Sequence, residues 1–212
     1  MPDPLLIDLP TRIDTERLLM RPPQAGDGAQ FFEVLSESLV EMRRFLAVLP
    51  WVAAEPSLEA AELHCRHAHA KFVARQDLPF FLFERASGRL VGATGLHRTV
   101  WATPKTEVGY WVRTSHTGRG LITEAVEAAT RYAFAHVGAV RVELITDSAN
   151  EASRKVADRC GFVLEGLLTN DHRAPDDSLR STCIYARFPP ATAAPWPSVR
   201  GAEPAGASGR PT

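Results

Sequence analysis

A Gly-x-Gly turn near the middle of the chain joins a strand-like segment to a helix-like segment. Residues 107–112 (Glu-Val-Gly-Tyr-Trp-Val) predict a strand, and Gly118 and Gly120 precede a run with helical periodicity. Glycines at such a junction let the backbone approach a ligand closely. The unpaired N–H groups of the helix's first turn face the same place, with the positive end of the helix dipole behind them. The junction therefore predicts an anion site made mostly of backbone, suited to a phosphate or pyrophosphate.

Three kinds of phosphate-binding loop compete for this junction. A Walker loop needs a Lys after its last glycine, but Leu121 follows Gly120. A dinucleotide G-x-G-x-x-G loop needs a third glycine where Thr123 stands. The acyl-CoA loop pattern [QR]-x-x-G-x-[GA] matches from Ser115, with Ser in place of the usual Gln or Arg. A tight turn at a helix entry, without any ligand, is the remaining interpretation.

Three other segments give the loop its context. They are Thr-Glu-Arg-Leu-Leu-Met-Arg at 15–21, Thr-Glu-Val-Gly-Tyr-Trp at 106–111, and the run from Asn150 to Phe162 that contains Asn-x-x-Ser and Gly-Phe. Together with the loop they resemble the GNAT superfamily of acetyl-CoA-dependent N-acetyltransferases, within it the ribosomal-protein N-terminal acetyltransferases of the Rim type. The resemblance runs from about Thr11 to Arg187. It implies an α/β fold with a mixed, mostly antiparallel central sheet of six to seven strands, flanked by helices and splayed at the CoA site.

Length and composition bound the domain organisation. The 212 residues predict one domain with a tail, or at most two small domains. We expect an N-terminal arm at 1–14, an acetyltransferase domain at 15–188, and a disordered Pro/Ala/Gly-rich tail at 189–212. Within the domain we expect helices at 27–37, 39–48, 57–75, 121–138 and 150–159, and strands at 17–21, 79–85, 89–98, 105–113, 140–146, 162–168 and 179–188.

Charge and cysteine usage exclude several classes of protein. A net charge of −1, without an array of basic and aromatic residues, argues against nucleic-acid and acidic-membrane partners. The longest apolar stretch is too short to span a membrane, and the N-terminus lacks a signal-peptide pattern. Three cysteines without a C-x-x-C pair fit a reducing compartment, so we expect a cytoplasmic protein. We expect no metal site, because His64, His67 and His69 do not share one helix face.

The resemblance assigns residues to the binding of acetyl-CoA. Backbone N–H groups from Thr117 through Gly118, Arg119 and Gly120 to Leu121 would hold the pyrophosphate, with Arg119 and Arg113 adding charge. The edge of the preceding strand would pair with the pantetheine arm, and an N–H near Trp111 or Val112 would polarise the thioester carbonyl. A bulge near Gly109 would open that edge. Asn150, Ser153 and Arg154 would contact the cofactor from the following helix.

Acid–base roles fall to a few side chains. Glu107, at the head of the strand that leads into the loop, is the first candidate for the base that deprotonates the amine, and His97 is the second. Many GNAT enzymes carry a Tyr acid four residues before the Gly-Phe pair, but Ala157 stands there. Ser153 would then protonate the leaving thiolate. Trp51, Phe80 and Trp101 are candidates for the wall of the acceptor pocket.

These assignments predict an enzyme that transfers acetyl from acetyl-CoA to a primary amine, by direct attack in a ternary complex. The acceptor is a protein N-terminus, such as that of a ribosomal protein, or a small amine. A homodimer is compatible with the resemblance. One alternative is a catalytically silent acyl-CoA-binding sensor, suggested by Ser115 and Ala157. Another is an acyltransferase that uses a different donor such as succinyl-CoA.

Overall fold

A single twisted sheet separates two sets of helices. The computed structural model describes residues 3–174 and 176–190. The elements within these residues are β1 (Ile13–Asp14), β2 (Leu18–Arg21), α1 (Gly28–Leu46), α2 (Pro50–Ala53), α3 (Leu58–Val73), β3 (Leu78–Glu84), β4 (Leu90–Val100), β5 (Lys105–Val112), α4 (Leu121–Tyr132), β6 (Arg141–Asp147), α5 (Glu151–Arg159), β7 (Val163–Arg173) and β8 (Leu179–Arg187).

The strands lie in the order β1-β2-β3-β4-β5-β6-β8-β7. Across the described residues only β5 and β6 run parallel, and every other neighbouring pair is antiparallel. The predicted mixed, mostly antiparallel sheet flanked by helices is confirmed. The sheet has eight strands rather than six or seven, because the short β1, inside the predicted arm, pairs with β2.

One face of the sheet packs on α4 and α5. Alternate strand residues point to this face, among them Val108 of β5 and Leu144 of β6, which are almost fully buried. The apolar stripe of α4 supplies Leu121, Ala125 and Ala129 to the same core. The helix is thereby held directly behind the turn that precedes it. We call this the α4 face.

The opposite face carries α1, α2 and α3. Phe31 and Leu35 of α1 and Cys65 of α3 pack on Phe81 and on half-buried Trp111, forming a second apolar cluster. These helices cover only the β2–β5 half of the sheet, because the cluster draws its strand residues from that half. We call this the α1 face.

Two predicted boundaries were wrong. The helices expected at 27–37 and 39–48 form one continuous helix, since no Pro or Gly interrupts residues 29–46. Ser38 lies inside it, where its hydroxyl accepts a hydrogen bond from Thr114 N rather than ending the helix. The strand expected to end at 168 continues to Arg173, because pairing with β8 resumes at His172 after an irregularity. Of the predicted tail, residues 191–212 lie outside the described part of the chain.

Candidate active site

The sheet opens into a wedge between β5 and β6. The two strands pair only from Lys105 to Glu107, opposite residues 141–143. Beyond Glu107 the described strands put only β4 beside β5, so one edge of residues 108–112 faces the gap. A strand edge whose backbone groups are unpaired can bind an amide-containing chain by β-augmentation.

The device that opens the wedge differs from the expected one. A bulge near Gly109 was predicted, but pairing between β4 and β5 is regular from His97↔Glu107 to Gly92↔Val112. The irregularity lies instead between His97 and Val100. The gap therefore begins where the β5–β6 pairing ends, while β5 stays paired with β4 and β6 stays paired with β8.

The glycine turn lies just beyond residue 112, where the free edge of β5 ends. Gly118 has φ 72° and Gly120 has φ 75°, a left-handed conformation that other residues adopt only with strain. Gly120 caps α4, and its carbonyl accepts from Glu124 N. The amides of the helix's first turn have no partner inside the helix and point toward the turn. A Cβ at Gly118 would meet no atom within 4 Å, so the positive φ is what requires glycine there.

Helix α1 braces this turn from the α1 face. Arg113 donates to Glu33 at 2.7 Å and to Glu37 at 2.6 Å, and its side chain is only 11% exposed. Ser115 N also donates to Glu37. Hydrogen bonding from the Ser115 side chain, with Arg113 beside it, lowers the pKa of Glu37 to about 2. The Ser at the first loop position therefore serves an internal contact, and the charge of Arg113 is committed to α1 rather than free for a phosphate.

A second set of ion pairs holds the other side of the turn. Arg119 pairs with Glu84 of the β3 end at 2.6 Å. Arg17 donates to the carbonyl of Arg119 and pairs with Glu124 of α4 at 2.6 Å. Its Nη2 lies 3.6 Å from the position of a Cβ at Gly120. Two guanidinium groups, both about half-exposed, thus flank the turn.

Helix α5 meets β5 across the mouth of the wedge. Asn150 caps the helix, its side chain accepting from Ser153 N at 3.1 Å. The Ser153 and Tyr110 hydroxyls are 2.8 Å apart, and Tyr110 also donates to the Ser153 carbonyl. Burial raises the pKa of Tyr110 well above its usual range, so this phenol keeps its proton near neutral pH. Arg154 donates to the carbonyl of Ser148.

The two candidate bases are cross-strand neighbours on the α1 face. Glu107, only 12% exposed, accepts from Arg98 at 2.7 Å and lies in the paired part of β5. His97 Nδ1 lies 2.7 Å from Asp77 Oδ1. The structure therefore brings both predicted residues together but gives them different partners.

An aromatic cluster lies on the same face. Trp51 of α2 lies 6.1 Å from Trp111 and 5.3 Å from His64, centroid to centroid, and Phe31 stacks on His64. Burial lowers the pKa of His64 to about 4, so the ring is neutral near pH 7. Phe80, predicted to wall the same pocket, is instead buried on the α4 face, since it contacts Phe72 and Tyr132 in that core. Trp101 packs at the edge of the same core.

The profile of the acetyltransferase (GNAT) domain matches residues 17–163. The chain belongs to the GNAT acetyltransferase family. YdaF of Bacillus subtilis (strain 168), provisionally named a ribosomal N-acetyltransferase, is 38% identical over 79 residues, which are 37% of this chain and 43% of YdaF. The ribosomal-protein-serine acetyltransferase of Escherichia coli (strain K12) is 32% identical over 110 residues, 51% of this chain and 59% of that protein. Both matches span less than two thirds of the relative.

Solved structures agree with the GNAT fold. The microcin C7 self-immunity acetyltransferase MccE, solved with acetyl-CoA and AMP, has a TM-score of 0.75 at 18% identity and covers 84% of this chain and 97% of its own. RimL, an acetyltransferase of ribosomal protein L7/L12 solved with coenzyme A, has a TM-score of 0.74 at 18% identity, covering 85% and 97%. Identities this low establish the fold alone. Among residues 3–174 and 176–190 of this GNAT protein, every helix is too short or too polar to span a bilayer.

Sequence reasoning missed several residues of this GNAT site. Arg17 belongs to a segment that supported the resemblance, yet nothing in the sequence indicates that it reaches the glycine turn. Glu33 and Glu37 read as ordinary surface carboxylates of a helix. Asp77 directly precedes a strand and carries no motif. Each of these residues acts through a partner 20 or more positions away, as 77 and 97 illustrate, and a local pattern does not contain such a pairing.

Proposed function

We propose that this protein is an acetyl-CoA-dependent N-acetyltransferase that acts on a primary amine. The observation that carries the proposal is the junction of a left-handed glycine turn, a helix N-terminus and an open strand edge, within a chain of the GNAT acetyltransferase family. The donors fit the group: backbone amides suit a pyrophosphate, and a free strand edge suits the amides of pantetheine. MccE and RimL, with the same fold, were solved with acetyl-CoA and coenzyme A.

We assign the binding roles from these positions. Amides of residues 117–121 hold the pyrophosphate, and the guanidiniums of Arg17 and Arg119, each ion-paired but still about half-exposed, add positive charge. The free edge of β5 at Trp111 and Val112 orients the pantetheine arm. We assign Asn150, Ser153 and Arg154, at the start of α5, to contacts with the cofactor from the other side of the wedge. Arg113 contributes by fixing the turn to α1 rather than by contacting the ligand.

Acetyl-CoA supplies an acetyl group activated as a thioester. The protein has to hold the acceptor amine against it, take a proton from that amine, and return a proton to the leaving sulfur. The Ser153–Tyr110 hydroxyl pair is the proton source that we assign to the sulfur, in place of the Tyr that Ala157 replaces. The amine proton goes to one of the two groups on the α1 face, Glu107 or His97.

The acceptor class is proposed from the relatives. YdaF and the Escherichia coli enzyme are both named as ribosomal acetyltransferases, and RimL is named as an α-N-acetyltransferase. We therefore propose a protein N-terminal amine as the acceptor, entering on the α1 face beside Trp51 and Trp111. A free α-amine has a pKa near 8, roughly two units below that of a Lys side chain, so it needs only a weak base.

The test is acetyl transfer to a defined panel. The purified protein is incubated with acetyl-CoA and either peptides with free N-termini, matched N-formylated peptides, or small amines, and both CoA release and product mass are measured. We expect N-terminally acetylated peptide and no reaction of the N-formylated control. If calorimetry shows that acetyl-CoA binds but no acceptor causes release of CoA, the sensor interpretation is favoured. Faster release of CoA from succinyl-CoA than from acetyl-CoA would show that the enzyme uses a different acyl donor.

A further inference from the structure

We propose that Asp77 and His97 form a dyad that takes the proton from the acceptor amine, with His97 Nε2 as the accepting atom and Asp77 as a positioning residue. The proposal rests on the proposed acetyl transfer and deepens it by assigning the base. It also replaces Glu107, the group that sequence favours, for reasons of geometry.

The dyad joins two elements of the sheet. Asp77 immediately precedes β3, and His97 lies near the end of β4, which pairs with β3 at Leu78↔Leu96. Asp77 Oδ1 and His97 Nδ1 are 2.7 Å apart. The side chains are 27% and 35% exposed, respectively, so both are held by the fold and still reachable from the α1 face.

Two glycines define where the imidazole lies. Gly95 and Gly109 are partners across β4 and β5. A Cβ built on Gly95 would lie 2.8 Å from His97 Nε2 and Cε1, and one built on Gly109 would lie 2.9 Å from Cδ2 and 3.1 Å from Nε2. Side-chain carbons do not approach that closely, so the ring rests directly on the backbone of both strands. The glycines are needed at these positions for this close approach.

This position places Nε2 at the start of the wedge. Gly109 is the second residue after Glu107, where pairing between β5 and β6 stops. The strand edge that we assign to pantetheine begins there. The free nitrogen of the imidazole therefore lies over the same strand that would carry the thioester, but on the opposite side of the sheet from α4 and α5.

The hydrogen bond to Asp77 determines what Nε2 can do. A carboxylate oxygen accepts, so Nδ1 carries the proton and the lone pair remains on Nε2. During transfer the new C–N bond forms, the amine gives its proton to Nε2, and the C–S bond breaks with its electrons remaining on sulfur. The resulting imidazolium is stabilised by Asp77, and its proton later passes to water.

Glu107 is less suited to the same task. Its carboxylate is occupied by Arg98, and it lies in the closed part of the sheet, facing a shallow surface cleft that Lys105 and Glu143 also line. Glu107 is also the cross-strand neighbour of His97. Its role in this arrangement is to hold Arg98 by an ion pair, which keeps that cation engaged beside the dyad.

The experiment compares five variants in the peptide assay: four test or control the dyad, and Glu107→Gln tests the rival base. We expect His97→Gln to lower kcat by about 100-fold, the lower end of the range for a lost general base, with unchanged acetyl-CoA affinity by calorimetry. Asp77→Asn should lower kcat by about 10-fold or more with little change in the KM for peptide, because the imidazolium loses its carboxylate. His67→Gln, the same change at an exposed position of α3, is the matched control and should leave the rate unchanged. Added imidazole should partly restore His97→Ala.

Two outcomes overturn the dyad. The first is a His97→Gln variant that keeps the rate and the pH profile of the wild type, together with a Glu107→Gln variant whose pH–rate profile has lost its acid limb. The second is independent of activity: nitrogen-15 NMR of the His97 ring should show the proton on Nδ1 in the wild type, and a proton on Nε2 would contradict the assignment. Lack of transfer by the wild-type protein to any acceptor overturns the proposed function instead, so the two failures are distinguishable.

Discussion

At the residue scale, the glycine turn depends on backbone conformation rather than on side-chain chemistry. Gly118 combines a φ of 72° with open space around the place where a side chain would start. Gly88, in the turn between β3 and β4, has a φ of 67° and the same open surroundings. Substitution at either position therefore causes the same backbone strain. The two positions differ in that only Gly118 lies in the proposed phosphate site. This makes them a matched pair.

We expect Gly118→Glu and Gly88→Glu to destabilise the fold by similar amounts, about 1–2 kcal/mol each, because a left-handed φ disfavours any residue with a Cβ. Only Gly118→Glu should weaken acetyl-CoA binding, by about tenfold or more, since it adds bulk and negative charge where the phosphates are proposed to bind. Isothermal calorimetry and urea unfolding measure the two effects. Equal acetyl-CoA affinity in both variants would show that the turn is not part of the binding site.

At the element scale, helices α1 and α5 fix the two sides of the wedge through polar contacts. Helix α1 holds the turn by way of Glu37, which accepts from Arg113 and Ser115 N. Helix α5 reaches β5 by way of the Tyr110–Ser153 hydroxyl pair. The strand, the turn and the start of α4 could be predicted from sequence because their signals are local. The braces could not, because residues 37 and 113, or 110 and 153, are brought together only by the packing of the sheet.

The brace from α1 predicts a pH-dependent stability. The pKa of Glu37 is lowered from 4.5 to about 2 in the folded protein, so its stabilising contribution is complete above pH 4.5 and is lost as the pH falls toward 2. Glu37→Gln should therefore cost about 1 kcal/mol at pH 7, a small value because this side chain is 31% exposed, and almost nothing near pH 2. Urea unfolding across this range measures the difference. Glu41→Gln, on the same helix and paired with Arg44 alone among the residues that the structure describes, is the control.

The bridge from α5 predicts a separable effect on catalysis. Tyr110→Phe removes the hydroxyl that bonds Ser153 but keeps the buried ring, so we expect about 1 kcal/mol of lost stability and a fall in kcat of about tenfold. Acetyl-CoA affinity should change little, because the ring still closes that side of the wedge. Turnover with a donor whose leaving thiol is more acidic should be less affected than turnover with acetyl-CoA. Equal losses with both donors would argue against a proton supplied to sulfur through this pair.

At the scale of the whole molecule, the sheet offers two separate approaches to one strand. The wedge opens between β5 and β6 beside α4 and α5, whereas His97 and the aromatic cluster of Trp51 and Trp111 lie on the α1 face. The mixed, mostly antiparallel sheet was predictable in outline, because alternating strand and helix patterns and the family resemblance agreed. The proposed division of the two faces between donor and acceptor was not predictable, since it depends on α1 to α3 covering only half the sheet.

Two approaches to one strand predict that both substrates bind before any chemistry occurs. All three cysteines are buried, and burial raises the pKa of Cys65 to about 12 and that of Cys160 to about 11, so neither is a ready thiolate for an acetyl-enzyme intermediate. We expect initial-rate plots against acetyl-CoA and peptide to intersect rather than run parallel. Mass spectrometry after incubation with acetyl-CoA alone should show unmodified protein, and Cys160→Ala should retain turnover. Parallel initial-rate plots together with an acetylated cysteine would contradict direct attack and indicate a two-step transfer through an acetyl-enzyme.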